Sequence, residues 1–313
     1  KLNTNTCYTI KIQSPQIKNI LKNYHTSSLI IPDKLKNTKI MDLGYGTSKD
    51  IYILSQLVGE NGRVVGIDNT GDELEKYNNN KEYLKEIFKK ESNVTFMKGF
   101  IEELEELNLE KNSFDVILAN CIINLNPYKE KLFNNVYNLL KPGGEFYFND
   151  IYSSVRIPDE LKNDSFLSGD YLSGSLYWND FLNMVKKSGF IDPRLVGSKP
   201  IIIKNKEIEK MIGHIEFFST TYRLFKIPDL LEPNCEDYGQ VVVYKGGIEN
   251  YENYWDLDNY HRMKKNKFTP VSGNTWNILY SSRFKSHFDF IGNSSQHFGI
   301  FDDGRRNSYN NCC

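Results

Sequence analysis

Short apolar runs alternate with segments of helical spacing over the first half of the chain. Five of these runs have the length and the branched residues of buried strands. They cover residues 39–43, 63–67, 93–97, 114–119 and 145–150. Apolar positions at helical spacing separate them, at residues 50–58, 74–90 and 129–140. Strands and helices that alternate in this way are joined by right-handed crossovers. The pattern predicts an α/β fold, with a mostly parallel sheet and helices on both faces.

The regular alternation of predicted strands and helices ends after residue 152. Helices are predicted at residues 178–188 and 206–212, and strands at 194–203, 217–225 and 240–244. The last 80 or so residues contain one clear strand among many glycine, asparagine and aromatic residues, which predicts a smaller mixed α+β C-terminal part. We therefore expect four regions, which are residues 1–38, 39–153, 154–230 and 231–313.

Charge and cysteine content exclude several classes of protein. Lys+Arg number 39 and Asp+Glu 40, so the net charge of -1 gives no basis for binding nucleic acid or an anionic membrane. No stretch approaches the roughly 20 apolar residues of a membrane span. The five cysteines are too few for a disulfide framework, so we expect reduced thiols and a cytoplasmic protein. They are Cys7, Cys121, Cys235, Cys312 and Cys313.

Glycines and polar residues follow the predicted strands, where open α/β sheets bind nucleotides. After the first strand, Gly44 and Gly46 allow a tight turn and a close approach of the backbone to a ligand. Asp68 ends the second strand, where a carboxylate is able to accept both hydroxyls of a ribose. The candidate cofactor-binding residues are Asp42, Gly44, Gly46, Thr47, Asp68, Asn69, Ile101, Glu102 and Asn120.

Two classes of nucleotide-binding enzyme are candidates for this pattern. A nicotinamide dehydrogenase needs a third glycine and a seat for pyrophosphate, but Lys49 stands at that spacing. The carboxylate of Asp42 disfavours a pyrophosphate and suits the positively charged methionine part of S-adenosylmethionine. Singly, Asp42, Asp68 and Asn120 also have structural interpretations, as a cap, a turn residue and a partner of the backbone. Together they predict a Rossmann-like methyltransferase that uses S-adenosylmethionine.

Several longer stretches resemble arsenite methyltransferases, over nearly the whole chain. The more specific are residues 120–125 (Asn-Cys-Ile-Ile-Asn-Leu) and 174–178 (Gly-Ser-Leu-Tyr-Trp). Residues 222–226 and 236–240 are similar as well, whereas the Lys-Pro-Gly-Gly turn at 141–144 is common to many methyltransferases. The resemblance implies that residues 39–153 bind the cofactor and that residues 154–230 bind the substrate.

The resemblance also implies a chemistry, namely methyl transfer from S-adenosylmethionine to trivalent arsenic. In the family, cysteine thiolates hold the arsenic while its lone pair attacks the methyl carbon. Trivalent arsenic is soft and prefers thiolates, and its lone pair needs no general base. The expected partners are thiol-bound trivalent arsenic and a thiol reductant such as glutathione or thioredoxin, with no nucleic acid and no membrane.

The family's arsenic ligands are only partly kept. Cys7 and Cys121 match two family cysteines, whereas Ser27 and Tyr171 stand where the family has the other two. These four positions are the candidate catalytic residues, and Cys7 and Cys121 are the candidate arsenic ligands. Tyr171 deprives Cys121 of its expected partner.

Two further substitutions lie outside that set. Ser272 stands where related C-terminal regions often carry a cysteine, and Ser48 replaces a glycine of the cofactor loop.

Two alternatives follow from these substitutions. One is a diverged methyltransferase with an organic acceptor, for which His25 and His214 are candidate bases. The other is a protein that binds the cofactor or arsenic without turnover.

Overall fold

The computed structural model describes residues 30–45, 48–69, 93–162, 167 and 172–302. The helix predicted at residues 74–90 lies outside these residues. Within them, no helix is long and apolar enough to cross a membrane.

An eight-stranded sheet forms the centre of the molecule. Its strands are β1 (Lys39–Leu43), β2 (Arg63–Asp68), β3 (Val94–Lys98), β4 (Phe114–Asn120), β5 (Leu140–Ser153), β6 (Leu176–Tyr177), β7 (Arg194–Pro200) and β8 (Phe217–Phe225). The order is β3-β2-β1-β4-β5-β8-β7, and β6 pairs with β5. Strands β1 to β6 pair in parallel, whereas β8 is antiparallel to both β5 and β7. The predicted mostly parallel α/β sheet is confirmed.

Helices cover both faces of this sheet. In chain order they are α1 (Ser48–Val58), α2 (Lys129–Leu139), α3 (Asp159–Lys162), α4 (Trp178–Lys187), α5 (Lys206–Ile212) and α6 (Gly273–Ser281). Neighbouring residues of a strand point to opposite faces, and in β1 both Ile40 and Met41 are fully buried. Ile40 packs in one core with residues of α1, and Met41 packs in another with residues of α2 and α4. Two buried faces explain why the parallel strands are apolar throughout.

Strand β5 begins earlier than predicted. The Lys-Pro-Gly-Gly segment ends helix α2 as predicted, but it belongs to the strand. Gly143 has φ +82°, and a Cβ there would lie 2.0 Å from the carbonyl oxygen of Ser281. The pairing with β4 shifts between Phe114 and Val116. Proline and glycine are tolerated here because the strand is irregular at this point.

The C-terminal part has more strands than predicted. Its described strands are β9 (Glu236–Asp237), β10 (Val241–Tyr244), β11 (Tyr254–Asp256), β12 (Arg262–Lys264), β13 (Phe268–Pro270), β14 (Phe288–Ile291) and β15 (Gly299–Ile300). They form small antiparallel sheets, and with α6 they surround a core of their own that includes the fully buried Trp255. The mixed α+β character is confirmed, and the one strand that the sequence showed clearly, residues 240–244, is β10.

Candidate active site

The turn after β1 lies directly against the chain that follows β4. The amide of Gly44 donates a hydrogen bond to the carbonyl oxygen of Ile67 at 2.8 Å, which ties the turn to β2. Gly44 has φ +66°, and a Cβ there would approach Cγ1 of Ile122 to 2.7 Å. Only glycine fits this backbone without strain. The two strand ends therefore lie side by side at the carboxyl edge of the sheet, where the cofactor crevice is predicted.

Asp42 gives this crevice an acidic floor. Its side chain is 2% exposed, at the end of β1. Burial raises the pKa of Asp42 well above its usual value, and the nearby carboxylates of Asp50 and Asp68 raise it further. A positively charged ligand would relieve this repulsion and favour the ionised carboxylate. The crevice thus matches a cation, not a pyrophosphate.

The next two strands bring further candidates to the same edge. Asp68 is buried at the end of β2, and its carbonyl oxygen accepts a hydrogen bond from the amide of Gly99 after β3. Asn69 is exposed beside it. Ile101 is buried and Glu102 is half-buried in the turn that follows. Two other candidates, Gly46 and Thr47, lie outside the described residues.

Asn120 presents an unsatisfied acceptor at the end of β4. Its Oδ1 atom is buried, and among the described residues no donor reaches it. Buried polar atoms nearly always have a partner, so this atom calls for a donor from a ligand. An exocyclic amino group such as that of adenine supplies one. With Gly44 and the acidic floor, this acceptor makes the residues present fit S-adenosylmethionine.

Cys121 follows directly, in a strained conformation. Its φ is +55°, a region that costs a residue with a side chain on the order of 1–3 kcal/mol. Its amide donates a hydrogen bond to the carbonyl oxygen of Asn149 at 2.9 Å, and its half-buried sulfur lies 3.9 Å from Oδ1 of the same residue. Backbone strain of this kind concentrates at functional sites.

The redox state of two cysteines differs from the prediction. Cys121 and Cys235 are each disulfide-bonded in the structure, which corrects the expectation of reduced thiols at these positions. The number of cysteines does not reveal which of them the fold brings close to another thiol, so neither disulfide could be predicted from the sequence.

A second turn supports the one that carries Cys121. The amide of Asn124 donates to the Asp150 carboxylate at 3.0 Å, and its side-chain amide donates to the carbonyl oxygen of Ile151 at 2.8 Å. A Cβ at Gly174 would lie 2.1 Å from the carbonyl oxygen of Asn124. The chain that follows residue 171 is therefore packed backbone to backbone against the turn that follows Cys121.

Asp150 is the central acceptor of this arrangement. Burial raises its pKa to about 6, although backbone amides, including those of Ile151 and Asn124, and the charge of Lys129 lower it. Burial also lowers the pKa of Lys129, whose ammonium donates to the carbonyl oxygens of Asn126 at 2.7 Å and Asn124 at 3.2 Å. A buried carboxyl group and a half-buried ammonium group thus hold the turn through its backbone.

Asn149 and Asp150 were not among the candidates predicted from the sequence, whereas Asn124 belongs to the motif at residues 120–125. The available signal is position, because Asn149 and Asp150 are polar residues directly after the apolar Phe-Tyr-Phe run at residues 146–148, in the last part of β5. The same reasoning that selected Asp68 and Asn120 applies to them.

Several candidates lie away from this site or outside the described residues. Cys7, Ser27, Tyr171 and His25 are outside them. His214 is exposed in the turn after α5. Ser272 caps α6, because its hydroxyl accepts a hydrogen bond from the amide of Thr275. Among the described residues, no three His, Cys, Asp or Glu side chains are grouped to hold a metal ion.

A cavity of about 900 Å³ opens on the sheet face beside Asn149. Polar residues of β5, β7 and β8 form its floor, and the C-terminal part and residues 30–33 form its walls. We call it the polar cavity. Lining residues used below are Ile30, Asp33, Asn149, Ser219, Thr221 and Tyr251. Its volume is that of a typical small-molecule site.

Comparison with known proteins gives two family matches. A family described as a methyltransferase domain matches residues 34–189. A family described as the arsenite methyltransferase C-terminal domain matches residues 238–301.

Individual relatives match over most of the chain. An arsenite methyltransferase of Aquipseudomonas alcaligenes is 46% identical over 279 residues, which are 89% of this chain and 80% of the relative. The arsenite methyltransferase of Homo sapiens is 39% identical and covers 92% of this chain and 78% of its own. The crystal structure of an arsenic(III) S-adenosylmethionine methyltransferase from Chlamydomonas reinhardtii superposes with a TM-score of 0.85, at 39% identity, over 91% of this chain and 95% of that one.

Proposed function

Because the chain belongs to the arsenite methyltransferase family, we propose that it transfers a methyl group to thiol-bound trivalent arsenic, with Cys121 as an arsenic ligand. The observation that carries this proposal is the strained Cys121 turn, which adjoins the cofactor crevice through the contact of Ile122 with Gly44. Trivalent arsenic is soft and binds thiolates, so a cysteine at this point holds the acceptor beside the methyl donor.

The protein is an S-adenosylmethionine-dependent methyltransferase. When bound, the cofactor supplies an electrophilic methyl group on a positively charged sulfur. We propose that Asp42 pairs with the positive charge, Asp68 accepts from the ribose, and Asn120 accepts from the adenine through its unsatisfied oxygen. The remaining proposed cofactor-binding residues are Gly44, Gly46, Thr47, Asn69, Ile101 and Glu102.

The sequence offers fewer arsenic ligands besides Cys121 than the family has. Ser27 and Tyr171 carry no thiol, so neither supplies the soft ligand that trivalent arsenic prefers. We propose that Cys7 or thiols from solution, such as glutathione, fill the remaining positions. The lone pair of arsenic is the nucleophile, and the site therefore needs no general base.

A reductant is part of this proposal. Cys121 is disulfide-bonded, and a disulfide sulfur has no thiolate to offer arsenic. An external thiol such as glutathione or thioredoxin supplies the two electrons and leaves as a disulfide. We accordingly propose that the enzyme works in the cytoplasm, where such thiols are kept reduced.

The four regions defined from the sequence keep distinct proposed roles. Residues 39–153 hold the cofactor, and residues 154–230 complete the acceptor side through the contact of Gly174 with Asn124. Residues 1–38 contribute Cys7, and residues 231–313 close the polar cavity.

A second candidate function is methylation of an organic acceptor. The size and the polar lining of the polar cavity favour it, because hydroxyl and amide groups such as those of Thr221 and Asn149 recognise polar molecules. This function would not depend on the thiol of Cys121.

The test is to supply methyl-labelled S-adenosylmethionine with arsenite and excess thiol, and to identify the labelled products. The proposal expects labelled methylarsenicals above an enzyme-free control, and little product when the thiol is omitted. Labelled S-adenosylmethionine that is bound but never consumed would contradict it. Product formed only on added amine or alcohol acceptors would favour the second candidate.

A further inference from the structure

Arg283 ties the first described segment of the chain to the C-terminal part. Its Nε donates to the carbonyl oxygens of Asp33 at 3.2 Å and Lys34 at 3.0 Å, and its Nη2 donates to that of Asp33 at 2.7 Å. The Lys34 ammonium donates in return to the carbonyl oxygen of Arg283 and to the hydroxyl of Ser286 at 2.9 Å. Because Arg283 binds backbone oxygens, it fixes the path of residues 33–34 whatever their side chains.

The same guanidinium reaches the central sheet. Its Nη2 also donates to Glu145 of β5, a fully buried carboxylate. Arg223 of β8 donates to the other oxygen of Glu145, at 3.0 Å from Nε and 2.9 Å from Nη2, and to the carbonyl oxygen of Leu257 at 2.8 Å. The planar guanidinium of Arg283 thus joins the sheet, the C-terminal part and residues 33–34. A single ammonium offers no such fork of donors.

A second contact holds the same segment. The indole Nε1 of Trp255 donates to the Asp33 carboxylate at 2.9 Å. Trp255 is fully buried in the core of the C-terminal part, which gives this donor a fixed position.

The segment held in this way forms a wall of the polar cavity. Ile30 and Asp33 line the cavity on one side, and Ser219 and Thr221 of β8 line its floor beside Asn149. Asn149 accepts hydrogen bonds from the side chain of Ser219 and from the amide of Cys121. Asn149 therefore lines the cavity and also contacts the proposed arsenic ligand, since its Oδ1 lies 3.9 Å from the Cys121 sulfur.

We infer that Arg283 is a positioning residue for the acceptor: by fixing residues 30–34 against β5, it shapes the polar cavity that receives the thiol-bound arsenic. This inference rests on the proposed function for the identity of the acceptor. It assigns the C-terminal part a specific task, which is to hold the chain that enters the sheet domain.

The test compares Arg283→Lys with Lys245→Met in the full chain. Lys245 forms an exposed ion pair with Asp289 in the same C-terminal part and touches neither cavity nor crevice. For Arg283→Lys we expect amide hydrogen exchange in residues 30–38 to quicken about tenfold and the KM for arsenite with excess thiol to rise about tenfold. We expect kcat and the Kd for S-adenosylmethionine to stay within about twofold, and Lys245→Met to match the wild type throughout.

A milder variant covers the case in which Arg283→Lys does not fold. Trp255→Phe keeps an aromatic ring, removes the donor to Asp33 and leaves a small void in the core, so the same two quantities should change in the same direction, by about threefold. Unchanged exchange at residues 30–38, or equal losses of acceptor and cofactor affinity, would overturn the inference. A wild type that makes no methylarsenical refutes the proposed function instead, and the exchange comparison then decides alone whether Arg283 anchors this wall.

Discussion

The cofactor crevice and the acceptor side of the site are built on different principles. The crevice uses a glycine turn, a buried carboxylate and an unsatisfied amide oxygen, which are Gly44, Asp42 and Asn120. The acceptor side keeps a backbone scaffold around Asn124, Asp150 and Gly174, but the sequence has Ser27 and Tyr171 at two expected thiol positions. In the proposed function, the crevice selects its ligand by charge and hydrogen bonds, and the acceptor side selects it by the thiols present around the Cys121 turn.

The sharpest way to separate the two sides is Gly174→Val. The added Cβ would lie 2.1 Å from the carbonyl oxygen of Asn124, so the Cys121 turn must shift. We expect kcat with arsenite to fall about 100-fold, since misplaced reacting groups cost that much, while cofactor affinity changes little. The control is Gly59→Ala, which strains a backbone at φ +72° but brings its Cβ within 4 Å of nothing, so it reports the effect of backbone strain away from the Cys121 turn. If Gly174→Val lowered turnover and the cofactor affinity measured by calorimetry by the same factor, the crevice and the acceptor side would not be separate.

Asp150 should also make the free energy of unfolding depend on pH. The raised pKa of Asp150, about 6, means that its stabilising contribution is complete below its ordinary pKa of 3.8 and is lost as the pH rises through 6. This loss amounts to about 2 kcal/mol between pH 4 and 7. Urea unfolding of wild type and Asp150→Asn at several pH values isolates it. A difference between the two proteins that does not vary with pH would show that Asp150 does not titrate in this range.

Asp42→Asn probes the charge of the crevice. The variant keeps the shape and removes the carboxylate, so the Kd for S-adenosylmethionine should rise about tenfold, or about 1.4 kcal/mol, with little change in acceptor KM. In the wild type, affinity should fall as the pH is lowered, because the raised pKa of Asp42 lets a neutral carboxyl form. Asp289→Asn, at an exposed position, is the matched control. Retained affinity and retained pH dependence in Asp42→Asn would speak against the charge pairing.

The smallest effect is expected at Asn120. Removing its unsatisfied oxygen in Asn120→Ala deletes one hydrogen bond to the cofactor, worth about 1 kcal/mol, so the Kd should rise about fivefold. Isothermal titration with S-adenosylhomocysteine measures this difference. Unaltered affinity would show that the oxygen faces some other donor.

The sequence predicted β1, β2 and β4 within one residue because these strands are apolar and buried on both faces. Strand β6 is only two residues long and was not predicted. The error at Pro142 and Gly143 has a tertiary cause, since the irregular start of β5 depends on its contact with Ser281, far away in the chain. The short strands of the C-terminal part, two to four residues long, are too brief for a period to be visible.

Prediction of the site was limited in a similar way. Asp42, Asp68 and Asn120 were accessible because each follows an evident strand. Asn149 and Asp150 lie in the last part of the predicted strand at residues 145–150 and were overlooked. The link from Arg283 to Glu145 spans 138 residues, and no local pattern reveals such a buried pair. The disulfides of Cys121 and Cys235 were hidden for the same reason.

The central claim is that methyl transfer depends on the thiol of Cys121, and the two disulfide-bonded cysteines allow a matched test. We would measure S-adenosylhomocysteine formation from arsenite in excess thiol for wild type, Cys121→Ser and Cys235→Ser, with cofactor binding measured in parallel. The account predicts at least a 100-fold loss of turnover in Cys121→Ser at unchanged cofactor affinity, and near wild-type turnover in Cys235→Ser. Turnover in Cys121→Ser equal to that of the wild type would contradict it.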